Sequence, residues 1–75
     1  MAWDYRVMTL NGGESYEIYE VYYNDKGKPS LYTANSSSPF GENIRELYQD
    51  VMWMIEALDM PVLTLQDFQA PGEED

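Results

Sequence analysis

Between Asn43 and Pro61 the apolar residues recur at helical spacing, and no other feature of the chain constrains its fold as tightly. Ile44, Leu47, Tyr48, Val51, Met54, Ile55 and Leu58 share one stripe of a helix with 3.6 residues per turn. Asn43 is placed to cap the first turn, and Glu46 completes a capping-box pattern in its Asn form. Pro61 ends the helix. A helix with one apolar stripe must bury it against something, and the segments ahead of it supply a sheet.

Trp3 to Leu10 alternates, with Trp3, Tyr5 and Val7 on one side and Arg6 and Met8 on the other, as a half-buried strand does. Asn11-Gly12-Gly13 reads as a tight turn. Ser15 to Tyr23 is rich in tyrosine and β-branched residues, so it reads as a second strand with Tyr16, Ile18 and Tyr22 opposed to Tyr19, Val21 and Tyr23. After the polar turn Asn24 to Lys28, Pro29 to Ala34 reads as a third strand, its proline at the start because it has no N–H to donate. The expected fold is α+β: a three-stranded antiparallel meander packed by one C-terminal helix, with Pro61 to Phe68 as a possible short last strand or an extended segment lying on the sheet. Residues 1–68 form a single domain and 69–75 an acidic disordered tail. One helix covers one face of such a sheet, so the other face is expected to be solvated or covered by a second chain.

Composition narrows the chemistry. The chain has no cysteine and no histidine, which removes disulfides, zinc sites built from those ligands and the Ser-His-Asp arrangement, so Ser36, Ser37 and Ser38 have no base. Glu17 and Glu20 are the best-placed carboxylates for acid–base work, but without a foreseeable pocket Glu20 is expected to pair with Arg6 or to sit at the sheet rim. Glu42, Glu46 and Asp50 form a row on the helix face away from the apolar stripe. A straight row does not converge on a cation, so it reads as a solvated face that complements the helix dipole, or as an acidic docking stripe. Asn24 to Lys28 lacks the alternating ligands of a calcium loop. These residues predict a protein that is not an enzyme and uses no cofactor or metal.

Fourteen acidic residues against four basic ones give a net charge of −10, which would repel nucleic acid. No apolar run approaches the length of a membrane span, and the first residues lack a signal-peptide pattern, so the expected location is the cytoplasm. A chain this small gains from association, and its eleven aromatic residues, seven of them tyrosine, suit a contact surface. The expected partner is a second copy or another protein, with a basic protein as the alternative. Met8, Tyr19, Val21, Tyr23 and Tyr32 on the sheet face away from the helix are the expected contact residues. Trp53, opposite the apolar stripe and flanked by Asp50 and Glu56, joins them as an anchor, with Asp50 and Glu46 as further contact residues.

The pieces Trp3-x-Tyr5-Arg6-Val7, Ile18-x-Glu20-Val21-Tyr22-Tyr23, Gly27-x-Pro29, Thr33, Pro39-x-Gly41-Glu42, Glu46-Leu47 and Ala57-Leu58-x-x-Pro61-Val62-Leu63 resemble a family of small, acidic, uncharacterised bacterial proteins. The resemblance spans most of residues 3 to 63 and implies a bacterial source, with no activity attached. At the level of element order, and at Gly41-Glu42-Asn43 leading into Glu46, the chain also resembles HicB-like antitoxins. Tyr22 to Pro29 departs from their proline-leucine-proline-glycine pattern. That likeness implies an acidic protein that neutralises a basic partner.

Overall fold

The computed structural model describes residues 2–68. The expected tail at 69–75 lies outside the described residues. Strands β1 (Trp3–Met8), β2 (Glu17–Tyr23) and β3 (Pro29–Tyr32) form an antiparallel sheet in the order β1-β2-β3, followed by α1 (Ile44–Ala57). Each strand is shorter than its apolar run because the turns claim the ends. Gly12 and Gly13 take φ of 72° and 95°, while Asn24 accepts the Lys26 and Lys28 backbone N–H groups at 2.9 and 3.0 Å. The β2–β3 pairing slips between Tyr22 and Tyr23, opposite the donorless Pro29.

The register sets Tyr5 against Glu20 and Val7 against Ile18, so Trp3, Tyr5, Val7, Glu20 and Tyr22 share the face that α1 covers. The opposite face carries Arg6, Met8, Tyr19 and Val21, and here the structure corrects the expectation of a contact surface. After the helix the chain returns to β1. Leu63 donates to the Val7 carbonyl at 2.9 Å, and the Thr9 N–H donates to the Leu63 carbonyl at 3.0 Å. The last strand is therefore a single parallel bridge, Met8 to Leu63. It drops Leu63 onto Met8, Tyr19 and Val21, which are 1%, 6% and 0% exposed. A 3-10 turn, η1 (Leu65–Asp67), capped by reciprocal Thr64 and Asp67 bonds, brings Phe68 edge-on to Tyr32 at 5.1 Å. Tyr32 in turn meets Tyr19 at 5.7 Å. The chain covers its own second face, because burying that apolar surface within one molecule carries no association entropy.

Arg6 is also corrected. It lies on the face opposite Glu20, so the two do not pair. The residue is only 7% exposed, and its guanidinium donates to the Tyr23 hydroxyl at 2.9 Å and the Pro61 carbonyl at 2.8 Å. It thereby pins the helix exit to the sheet.

The helix has the expected start and cap, with the Glu46 N–H donating to Asn43 Oδ1 at 2.9 Å, but it ends at Ala57, a turn ahead of Pro61. Its buried side is different. Met54 and Ala57 are buried and Leu47, Asp50 and Val51 half-buried, while Ile44, Tyr48, Ile55 and Leu58 are 81%, 67%, 48% and 64% exposed. Asp50 explains the roll. It accepts the Tyr5 hydroxyl at 2.6 Å and the Phe40 N–H at 2.9 Å, and turning those bonds inward swings half of the apolar stripe into solvent.

Candidate functional site

Exposed apolar area lies on both flanks of the buried side of α1. On one side run Ile44, Tyr48, Ile55 and Leu58. On the other, β1 and the end of α1 diverge to leave a groove of about 390 Å³, lined by Trp3, Asp4, Tyr5, Trp53, Glu56, Ala57 and Met60.

The groove follows from local rules. Alternation along β1 puts Trp3 and Tyr5 on the helix side. Ala57, 1% exposed, contributes only a methyl group to the lining, too little to fill the gap between β1 and α1. Trp3 is held edge-on to Tyr5, with centroids 5.2 Å apart and rings at 86°, and lies 6.2 Å from Tyr22. Trp3 and Trp53 remain 43% and 51% exposed, and Asp4 and Glu56 are exposed as well. The volume falls within the range of ligand sites, and the chemistry is aromatic walls with carboxylates among them.

Tyr5 is structural. Burial, then the hydrogen bond and negative charge of Asp50, push its hydroxyl well above the ordinary value of 10.0. Tyr22 is raised by its 2.7 Å bond to Glu20, and Tyr19 by burial beside Glu17. A neutral, raised phenol stabilises the fold fully below its unfolded pKa, and that contribution is lost as pH climbs past about 10. Stability is therefore expected to fall above pH 10. Tyr5→Phe should cost about 1.5 kcal/mol or more, as for a hydrogen bond to a charged group. It should also make the alkaline fall shallower, leaving the share from Tyr19 and Tyr22. Urea unfolding from pH 8 to about pH 11.5 reads both effects.

The expected site residues are thus divided. Trp53 lines the groove. Asp50 is a bonded anchor of the fold, not part of a solvated row. Glu46 stays exposed, and its Oε1 accepts the Glu42 N–H at 3.1 Å. Met8, Tyr19 and Val21 belong to the core, with Tyr23 packed against it. Glu56 lines the groove beside Trp53, as the helical spacing predicts, whereas sequence reasoning missed Trp3 and Asp4, because nothing along the chain says that β1 starts where α1 ends. Among the described residues, no group of three or more Asp or Glu could hold a metal ion. No described helix is long and apolar enough to cross a membrane. Comparison with family models, curated proteins and solved structures finds no match to this chain.

Proposed function

We propose that the chain is a non-enzymatic protein-binding protein that pairs with a second copy of itself through the outer stripe of α1. The observation that carries this reading is the exposure of Ile44, Tyr48, Ile55 and Leu58, four large apolar side chains in a row on a highly charged molecule. With half-buried Val51 they are spaced four, three, four and three residues apart, the seam of a paired helix.

Charge complementarity favours an antiparallel second copy. A register that sets Tyr48 against the partner's Leu58, and Val51 against the partner's Ile55, brings Arg45 beside the partner's Asp59 and repeats that pair by symmetry. A parallel pair would put the two Arg45 side chains on opposite flanks of the seam and leave each about 21 Å along the helix from the partner's Asp59, so the ion pair is lost. The seam spans about 21 Å of helix, at 1.5 Å per residue, so the interface is small. Two chains of charge −10 also repel one another, and the expected dissociation constant is about 10–100 µM.

Sedimentation velocity over a concentration series tests this. A dimer should appear near ~100 µM and strengthen with added salt, as screening relieves the net repulsion. Tyr48→Glu, at an exposed position, should leave the circular dichroism unchanged and the chain monomeric. A monomer throughout the series contradicts the proposal.

A second reading, an acidic protein that neutralises a basic partner, is favoured by the acid-rimmed groove. It is compatible with pairing, because stripe and groove lie on opposite sides of the helix.

A further inference from the structure

We infer that the groove between the start of β1 and the end of α1 is a binding slot for an arginine side chain of a basic protein partner. This deepens the second reading above and does not depend on self-pairing. Two indoles, Trp3 and Trp53, leave about half their surface in water while lining one hollow, and tryptophan is the strongest aromatic acceptor of a cation. Asp4 and Glu56 in the same lining carry the opposite charge to the proposed occupant. Buried Ala57 and half-exposed Met60 give an apolar floor for the methylene stem.

The geometry selects among cations. A cage for a methylated ammonium surrounds it with aromatic faces. Here Tyr5 is spent on other contacts: its ring is engaged edge-on by Trp3 and its hydroxyl is held by Asp50. Two open indole walls remain, which suits a flat guanidinium that stacks on an aromatic face. Its planar fork of N–H donors matches carboxylates better than the compact lysine ammonium does. The site's size also fits a side chain rather than a folded element. The net charge of −10 draws basic polypeptides toward the surface and turns nucleic acid away.

The test follows the two indole N–H signals by NMR while the isotopically labelled chain is titrated with three probes: a short capped arginine-glycine peptide, its lysine counterpart and tetramethylammonium. The arginine peptide should shift both indoles saturably, and about fivefold more tightly than the lysine peptide. Tetramethylammonium should bind more weakly still. Trp53→Ala should weaken arginine binding about tenfold or more, the loss of one anchor. Glu56→Gln, at an exposed position, should weaken it about threefold with the fold intact. Glu14→Gln, in the remote β1–β2 turn, should change nothing, and added salt should weaken binding, the reverse of its effect on pairing. Tyr48→Glu should bind arginine as the parent does, so loss of pairing and loss of the slot are read separately. The inference is overturned if the indoles do not shift, if Glu14→Gln weakens binding as much as Glu56→Gln, or if lysine or tetramethylammonium binds as tightly as arginine.

Discussion

Leu63→Ala is expected to cost about 2–5 kcal/mol, the range for truncating a buried leucine. The upper half of that range applies. Leu63 is 7% exposed and packs on Met8, Tyr19 and Val21, and its backbone is bonded on both sides to β1. Shortening it opens a cavity under the segment that closes the second face of the sheet. Small domains have only about 0.05–0.15 kcal/mol of stability per residue, so the loss removes a large part of what this chain has. The variant should also expose the tyrosine face, seen as dye binding and association of a kind absent from the parent. Urea unfolding measures the first effect. A change under about 1 kcal/mol would mean that the segment from Pro61 to Phe68 does not close the core.

Gly41→Ala should be nearly as damaging, for a different reason. A Cβ at Gly41 would run into the Leu47 N–H and come within 2.7 Å of the Glu46 carbonyl carbon and the Leu47 Cα, all helix backbone that cannot step aside. The loop must then lift from the first turn of α1. That breaks the Phe40 N–H bond to Asp50 and loosens the carboxylate that fixes the roll of the helix. Overpacking of this kind costs about 1–3 kcal/mol, and the lost charged hydrogen bond adds to it. Thermal unfolding reads the sum, and unchanged stability would show that the loop does not lie against the helix backbone as described.

Element type was legible along the chain and element burial was not. The helix could be placed between Asn43 and Pro61 because cap, stripe and stop agree, and the hairpin at Gly12-Gly13 because positive φ leaves few alternatives. The side of α1 that meets the sheet could not be read from hydrophobicity, because a polar residue decides it. Asp50 has two long-range hydrogen bonds to make, with Tyr5 and Phe40, and satisfying them outweighs leaving part of the stripe in water. The second sheet face reads as solvated or covered by another chain because a single helix covers only one face, and the weak alternation of Pro61 to Phe68 does not say which face that segment lies on. One bridge and one capped 3-10 turn suffice to seat Leu63 and Phe68, and neither has a strong periodic signal. Trp53 stood out by its position opposite the stripe. Its neighbours across the groove, Trp3 and Asp4, sit at the far end of the sequence and are brought to it only by tertiary packing.

The central claim is that partners meet this protein on α1 and not on the tyrosine-rich sheet face. Methyl-resolved NMR over a dilution series from ~0.5 mM to ~10 µM, which brackets the expected dissociation constant, tests it most directly. The account predicts that the methyl signals of Ile44, Ile55 and Leu58 shift together on dilution, while those of Met8, Val21 and Leu63 stay fixed. Movement of Met8, Val21 and Leu63 with the α1 stripe unchanged would contradict it.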